Sequence, residues 1–368
     1  LAVSVVDDNV KSYVRSIESF RTQDLSVLSG NETILASLAA TSANASGSTK
    51  NSALSGAVSY NKVGGDTTAY IDAARNLDVN GELRVEADQA GYIGSITAGF
   101  GGTSGETVTA GTAIAGSISV NEIDHNVDAH IVDSVVDIDS NVFVNAVDKS
   151  LIVSIAGTSA TQNSGKKSSG VGGKGVGVAL SVNLIGTSSS PVITTTYIQD
   201  STLTMSAGEL TVSASNAQPG SDPRIYSLAQ SYGGTDSMQG TAIAGTVSVN
   251  LIASETKAYL QNATIDEHDR DDAAVAVNVS ANDSYGIVAY TGGWASSSKG
   301  SGFGAALSYN EVAGTTQAYI DASTIDVSGD VTITADNKSI IGAGTLGVAS
   351  GKGTSGTGLA GSVAIAII

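Results

Sequence analysis

The sequence predicts an all-β fold, a parallel β-helix in which successive repeats stack along one axis. Three observations lead to this class: a phrase that recurs about every 60 residues, strand-like alternation throughout, and an unusual composition. Glycine accounts for 44 of the 368 residues and aromatic residues for 5%, whereas hydrophobic residues make up 41%. A core with so few rings has to be built from Val, Ile, Leu and Ala, and this hydrophobic fraction is high enough for a folded chain.

The recurring phrase alternates small residues with Ile, Val or Leu and reaches an Asn near its end. Its copies are ALSGAVSYNKV (53–63), AIAGSISVNEI (113–123), GVALSVNLI (177–185), AIAGTVSVNLI (242–252) and FGAALSYNEV (303–312). The asparagines that mark these copies recur at nearly constant intervals along the chain. The markers are Asn61, Asn121, Asn183, Asn250 and Asn310.

These intervals divide the chain, which we take as one continuous segment (1–368) of a longer protein, into successive repeats. A degenerate first copy and a partial last copy flank five clear ones. The boundaries are approximately 1–52, 53–112, 113–176, 177–241, 242–302, 303–358 and 359–368. Because one such unit cannot bury its apolar side chains alone, we expect neighbouring repeats to stack and to share a core.

A second landmark, an aromatic residue followed by Ile or Leu, comes 9 residues after the marker Asn in four of the five copies. A third is a strand closing on Ala, as in LRVEA (83–87) and VTITA (331–335). Each landmark alternates with period two, as a β-strand does. In one copy His130 takes the aromatic place, and the others carry Tyr70, Tyr197, Tyr259 and Tyr319.

A repeat of this length suits roughly three coils of about 20 residues, with two wider coils as an alternative. About 18 coils would give a rod of about 85–90 Å, with Val, Ile and Ala filling its narrow interior. Tandem sandwiches are less favoured because they need about 100 residues per domain, and a propeller blade has about 40–50 residues. The Gly/Ser-rich stretch lies at the same position within every repeat, so these stretches are expected on one side of the rod. We expect them to form solvated turns there, with a row of binding loops as the alternative.

The coil number decides what the marker residues do. With three coils per repeat, equivalent asparagines lie about 14 Å apart, too far to contact one another. We therefore expect turn residues rather than an Asn ladder, since Asn tolerates left-handed geometry. The landmark tyrosines are expected to pack at a coil corner, and an exposed aromatic row for sugar stacking is the alternative.

Taken together, AGSISVNEI, AIAGTVSVNLI and TTQAYIDASTIDVSGDVTITADN (315–337) resemble the repeats of bacterial exoproteins. The likeness is to filamentous-haemagglutinin-like proteins and leukotoxin-type filamentous adhesins, and it extends over nearly the whole chain. The resemblance implies secretion to the cell surface, a right-handed β-helical shaft, and a role in adhesion or matrix building. It supplies no catalytic motif, and no secretion domain or anchor is found in the sequence.

Charge and composition exclude several classes of function. The formal charge is −18 and the isoelectric point is near 4.3, so the surface repels phosphate backbones and nucleic-acid binding is not expected. The chain has no cysteine, which excludes disulfides and Cys-based metal or nucleophile chemistry. No stretch of about 20 apolar residues predicts a membrane span.

A search for chemistry finds one acidic cluster, DEHDRDD, whose carboxylates could gather a calcium ion. The spacing of a calcium loop is absent, so we expect a solvated turn and no resident cofactor. The calcium candidates in this cluster are Asp266, Asp269, Asp271 and Asp272. GGKGVG (172–177) lacks the phosphate-loop spacing, and there is no nucleophile elbow. We therefore expect no catalytic residues.

We accordingly predict an extracellular, non-catalytic structural or adhesive shaft whose immediate partners are the flanking repeats of its own chain. Two alternatives stay open at this point. One is a filament subunit that assembles through open coil ends, since uncovered strand edges pair readily. The other is a β-helix that binds or cleaves a cell-surface or matrix polysaccharide.

Overall fold

The computed structural model describes residues 1–47, 50–105, 110–164, 172–216, 224–268, 274–354 and 356–368. Within these ranges every regular element is a β-strand, which confirms the all-β prediction. The described residues include no helix that could cross a membrane. The strands form one sheet of 17 strands and one of six.

The strands vary in length from three residues to 47, because the longer ones continue around bends of the chain. In chain order they are β1 Ala2–Asp7, β2 Val10–Arg15, β3 Phe20–Thr22, β4 Leu25–Ser46, β5 Lys50–Gly64, β6 Thr67–Asp72, β7 Leu77–Val79, β8 Leu83–Ser104, β9 Ala110–Asp124, β10 Asn126–Val132, β11 Val135–Ile138, β12 Val142–Asp148, β13 Leu151–Gln162, β14 Lys174–Ile185, β15 Val192–Gln199, β16 Thr202–Met205, β17 Gly208–Asn216, β18 Ile225–Gln261, β19 Thr264–Glu267, β20 Val275–Asp321, β21 Thr324–Asp326, β22 Val331–Gly351 and β23 Gly358–Ile367.

All pairings between these strands are parallel, and each strand pairs with its counterpart in the next repeat. Asn61 lies beside Asn121 and Asn121 beside Asn183, so the pairing register advances by one whole repeat per layer. The long parallel sheets are compatible with a β-helix or solenoid. The prediction of roughly three coils per repeat is wrong, because three coils would pair each strand with a neighbour from its own repeat.

The physical reason lies in the Gly/Ser-rich stretches. Their composition predicts turns, but most of their described residues continue the strands, as in the last residues of β8 and the middle of β18. About half of each repeat therefore runs outward from the core as one strand and returns to the core as a second strand beside it. One column shows the stacking of the layers: Ser4, Asn61, Asn121, Asn183, Asn250, Asn310 and Ala366. Six spacings of about 4.8 Å give a stack about 29 Å high, far less than about 85–90 Å.

The core lies in the wider part of each layer, which we call the body. Aliphatic side chains from the three-residue to eight-residue strands point inward there and stack in columns, as Leu77, Val136 and Leu203 do. In a second cluster, two further columns of aliphatic side chains face each other across the interior. One of these columns contains Ile93, Ile152 and Ile225. In the body, the prediction of an interior filled by Val, Ile, Leu and Ala is confirmed.

Beyond the second cluster each layer narrows into a two-walled extension, which we call the arm. The second half of β8 forms one wall in its layer, and β9 forms the other. A Cβ atom placed on Gly99 would lie 2.3 Å from the Gly116 carbonyl oxygen, so the two backbones are nearly in contact. Gly, Ala, Ser, Thr and the marker Asn therefore fill most of the inside of the arm. The larger Gln162 is also buried there, and its Oε1 accepts hydrogen bonds from Thr235 and Ser237.

The alternation is consequently inverted in the arm. Ile114 and Ile118 of the recurring phrase point outward and are exposed, whereas Ala115 and Ser117 between them, and Asn121 after them, are buried. The prediction that large aliphatic residues point inward is wrong for this part of each repeat. The narrow gap between the walls excludes the large aliphatic side chains.

Candidate functional site

The marker asparagines form a continuous hydrogen-bonded ladder inside the arm. Each of the five side chains is fully buried, and each Nδ2 but the last donates to the Oδ1 of the next Asn at 2.8 Å. The same Nδ2 of Asn121 also donates to Ser119 Oγ, two residues earlier, at 3.2 Å. The expectation of turn residues is wrong: these residues lie within strands, and the one-layer spacing of about 4.8 Å puts neighbouring amides within reach of each other.

The ladder has a direction. Donors point toward the C-terminal layers, so Asn61 presents a buried Oδ1 that no described group contacts. At the other end Asn310 meets Ala366 in the next layer and donates instead to the Ile365 carbonyl oxygen at 3.3 Å. Interior members have two amide neighbours each, whereas these two end members have one.

Serine and threonine hydroxyls connect the two walls of the arm. Ser59 Oγ lies 2.7 Å from Thr97 Oγ1 across the gap, and the Oγ atoms of Ser95 and Ser119 are 3.0 Å apart. Similar contacts continue through the layers and end with Ser227 and Ser248 at 3.0 Å. These hydroxyls partner one another because the backbone hydrogen bonds are already used within each wall. Other buried hydroxyls of the arm, such as those of Ser55 and Ser117, have no partner among the described residues.

A column of stacked aromatic rings runs along the body. Adjacent ring centroids are 4.8–5.1 Å apart and the ring planes differ by 3–12°. Three residues after each ring the chain turns at a non-glycine residue with positive φ, for example Asp133 after His130. The rings thus lie close to a corner, as expected for Tyr70, Tyr197, Tyr259 and Tyr319. The column is Tyr13, Tyr70, His130, Tyr197, Tyr259 and Tyr319.

This stacking decides between the two expectations for the aromatic row. Interior rings such as Tyr197 have both faces covered by the rings of the neighbouring layers. Sugar stacking needs an open ring face, and only the outer faces at the two ends of the column meet this requirement. Burial also raises the pKa of Tyr259 to about 12, with the neighbouring Tyr319 as the next cause.

The most highly charged buried site lies where the body joins the arm, and sequence reasoning missed it. Asp148 accepts a hydrogen bond from Arg224 Nη2 at 2.7 Å and lies 3.0 Å from His125 Nε2. Ser150 Oγ donates to Asp148 Oδ1 at 2.6 Å, and its carbonyl accepts from Arg224 Nε at 2.8 Å. All four residues are at most 1% exposed.

Burial alone would raise the pKa of Asp148. The Arg224 guanidinium, His125 and the Ser150 hydroxyl together outweigh the effect of burial, and they hold the pKa of Asp148 well below its usual range. For Arg224, burial lowers the pKa but Asp148 and other neighbours raise it above its ordinary value. The pair is therefore charged in the folded chain, as a paired buried salt bridge has to be.

His125, Ser150 and Asp148 do not have the geometry of a nucleophilic triad. Ser150 Oγ lies 3.1 Å from His125 Nε2, the same ring nitrogen that approaches Asp148. A triad instead uses one ring nitrogen for the nucleophile and the other for the carboxylate. Nδ1 of His125 is buried and has no partner among the described residues, and none of the three side chains reaches the surface. We interpret the cluster as a structural ion pair.

The next layers carry related polar groups in the same column. Asn216 Nδ2 donates to Tyr285 Oη and to Thr256 Oγ1, both at 2.7 Å. Asp283, one layer further, accepts from Thr256 at 3.1 Å and from Thr316 at 3.2 Å. Burial raises the pKa of Asp283 to about 6, although its hydrogen bonds and Arg224 act in the opposite direction.

One sequence signal could have found this column. The third landmark ends on Ala, and the residue two positions later is polar in every clear copy. Parallel pairing places these residues directly above one another. Those in the clear copies are Gln89, Asp148, Asn216, Asp283 and Asn337.

The calcium candidates gain no support. Asp266 lies exposed in β19, while Asp269, Asp271 and Asp272 lie outside the described residues. Across the described part of the chain, no three His, Cys, Asp or Glu residues come together in a group that could hold a metal ion.

Comparison with protein-family models, with curated proteins and with solved structures gave no match for this chain. Its interpretation therefore depends on the geometry described above and on the repeat pattern of the sequence.

Proposed function

We propose that the chain is a segment of an extracellular structural or adhesive shaft, built as a right-handed β-solenoid in which each turn is one repeat. The observation that carries this proposal is the pairing register, which is maintained from layer to layer apart from a local shift between Thr235 and Thr241 of β18. Equivalent residues pair from layer to layer through β5, β9, β14, β18 and β20.

The stacked groups suit a load-bearing role. Backbone hydrogen bonds of the parallel sheets run along the stacking direction, and the Asn ladder and the aromatic column run alongside them. Force applied along this direction is shared by many bonds in each layer, so no single contact has to carry it. Continuous pairing also leaves few exposed backbone sites for proteases.

The dimensions favour a broad shaft over a long spacer. Each turn uses about 60 residues and adds only about 4.8 Å of length. A wide cross-section with two extended walls offers lateral surface, which suits attachment to neighbouring molecules. The extracellular location is supported by the resemblance of the repeats to bacterial exoproteins and by the acidic composition, which favours solubility.

A non-catalytic role is supported by the burial of the Asp148 cluster and by the covered faces of the aromatic column. Of the alternatives, a self-assembling filament subunit has more support than a polysaccharide-active protein. The arm exposes aliphatic side chains that a second molecule could cover.

Immunolabelling tests the location, and a depolymerisation assay tests the absence of catalysis. We expect antibodies against this chain to label intact cells of the species that produces it, and electron microscopy of the labelled material to show rods. Labelling confined to permeabilised cells would contradict the proposed location. The purified chain is expected to release no reducing ends from a panel of acidic and neutral polysaccharides, and release that scales with protein concentration would overturn the non-catalytic role.

A further inference from the structure

One outward wall of the arm carries an apolar surface that the fold itself does not cover. It is formed by the outward side chains of β5, β9, β14, the second half of β18, the second half of β20, and β23. Two ridges of Leu, Ile, Val and Phe run along the stacking direction. The outer ridge is Leu54, Ile114, Val176, Ile243, Phe303 and Leu359, and the inner ridge is Val58, Ile118, Leu180, Val247, Leu307 and Val363.

Between the two ridges lies a shallow column, which we call the glycine groove. Its six positions are filled mostly by glycine, and their Cβ positions point away from the protein. Next to Gly116 the nearest atom to an added Cβ is the Ser55 carbonyl oxygen at 4.0 Å, and the other three glycines have open space there. The column is Gly56, Gly116, Val178, Gly245, Ala305 and Gly361.

The fold of a single chain does not require these glycines. None of the four has a positive φ, and none is forced by a neighbouring atom of its own chain. Glycine within a strand lowers stability, and it often marks a place where another backbone or ligand comes close. The missing side chains therefore matter to something that packs on the outside of this wall.

We propose that this wall docks against the same wall of a second copy of the chain, with the inner ridge of each copy seated in the glycine groove of the other. A two-fold axis parallel to the stacking direction reverses the order of the columns. Placed midway between groove and inner ridge, the axis brings Ile118 of one copy over Gly116 of the other and, by symmetry, the reverse. The contact is isologous and closes on itself.

Three properties of the wall select a second copy as its occupant. The ridges repeat with the layer spacing, so a surface of equal period matches them along the whole stack, as in dry interdigitated sheet pairs. The proposed contact covers four outward columns about 6.6 Å apart: the two ridges, the groove, and the uncharged column of Val120 beside the inner ridge. Over six layers of about 4.8 Å these columns cover about 750 Å², close to the roughly 800 Å² per partner of a stable interface. The ridges and groove carry no charged residue, so pairing them buries no charge despite the formal charge of −18.

The apolar surface is large for a molecule that remains alone in water. Leu54 is 74% exposed and Val363 is 54% exposed, in ridges whose other members are also at least partly exposed. Contiguous apolar patches above a few hundred Å² mark interaction sites. This inference depends on the arm geometry and does not require the extracellular shaft role.

Filling the groove tests the docking directly. The variant Gly116→Gln/Gly245→Gln adds neutral side chains that point to open space, so the fold is retained and the groove is blocked. The matched control is Gly30→Gln, since Gly30 is exposed in β4, outside this wall, and also has open space at its Cβ. Sedimentation velocity at micromolar concentration is expected to show dimers for the wild type and the control, and about tenfold or greater weakening for the groove variant.

Cross-linking tests the predicted partner residues. Because the chain has no cysteine, single variants Gly116→Cys and Ile118→Cys can be mixed and oxidised without background. The mixture is expected to yield more disulfide-linked dimer than either variant alone. A wild type that stays monomeric, a groove variant that dimerises like the wild type, or co-flotation of monomers with phosphatidylcholine vesicles through this wall would overturn the proposal.

Discussion

Arg224 and Asp148, 76 residues apart in sequence, form a fully buried ion pair with a 2.7 Å hydrogen bond. The contact joins the segment that opens β18 to the end of β12, and Ser150 and His125 complete the partners of the carboxylate. Both ions have left water, so each depends on the other for compensation. The pair therefore fixes how successive layers align at the junction of body and arm.

Removing one ion of this pair is expected to destabilise the chain strongly. Arg224→Met leaves the Asp148 carboxylate buried without its main countercharge, and we expect a loss of about 3–5 kcal/mol in the free energy of unfolding. Urea denaturation followed by circular dichroism measures this change. The double variant Arg224→Met/Asp148→Asn should recover part of the loss, and equal losses in the single and double variants would contradict an ionised pair.

The raised pKa of Asp283 predicts that the chain becomes more stable on mild acidification. This pKa is raised to about 6 in the folded chain, mainly by burial, whereas the pKa of an unfolded Asp is about 3.9. The folded state therefore holds the proton more tightly. The associated stability is fully present below the unfolded pKa and is lost as pH rises through about 6.

The measurement is the free energy of unfolding at pH 5 and at pH 7.5. We expect the wild type to be more stable at pH 5, and Asp283→Asn to reduce that difference because its amide does not titrate. The pKa of Asp148 is lowered in the folded chain, so Asp148 makes the free energy of unfolding fall, not rise, on acidification. This loss begins only below the unfolded pKa of about 3.9, outside the range from pH 5 to pH 7.5. An identical pH dependence in wild type and Asp283→Asn would rule out this assignment.

The Asn ladder predicts different costs at its middle and at its end. Asn183→Ala leaves the buried Oδ1 of Asn250 without its donor, whereas Asn310→Ala removes the last member and orphans no ladder acceptor. We expect Asn183→Ala to lose about 1–3 kcal/mol more than Asn310→Ala, the cost of an unsatisfied buried group. Chemical denaturation of both variants checks this, and equal losses would argue against a continuous ladder.

The aromatic column predicts that ring stacking, not the hydroxyl group, supplies the stabilisation at Tyr197. Its ring stacks on His130 at 4.8 Å and on Tyr259 at 4.9 Å. Tyr197→Phe is expected to be nearly neutral, and Tyr197→Leu to lose about 1–3 kcal/mol through two lost ring contacts. The melting temperatures of the two variants distinguish these outcomes, and similar values would show that stacking contributes little.

The sequence alone predicts the strands, the parallel stacking and the aliphatic body, because all three follow from period-two alternation within a repeat. It does not predict the inverted arm. Ile118 and Ser119 alternate in the same way whichever of them points inward, so the alternation cannot say which face is buried. The decision comes from tertiary packing, where Gly99 allows the opposite wall to approach Gly116 so closely that only small side chains fit inside.

The sequence does not predict the coil number, for a related reason. Gly/Ser-rich segments such as residues 233–240 of β18 are typical of turns. Their pairing with residues of the next layer makes most of them strand instead. The sequence spacing of Asn121 and Asn183 is the same whether a repeat forms one coil or three. Only the observed pairing of Asn121 with Asn183 shows that each repeat forms one coil.

Engineered disulfides test most directly the claim that one repeat makes one layer. Asn145 pairs with Ser213 in the adjacent layer, and Ser213 pairs with Ser280 in the layer beyond. On oxidation, Asn145→Cys/Ser213→Cys should form an intrachain disulfide, and Asn145→Cys/Ser280→Cys, whose residues lie two layers apart at about 9.6 Å, should not. A folded Asn145→Cys/Ser213→Cys variant that keeps both thiols free under the same conditions would contradict the one-repeat layer.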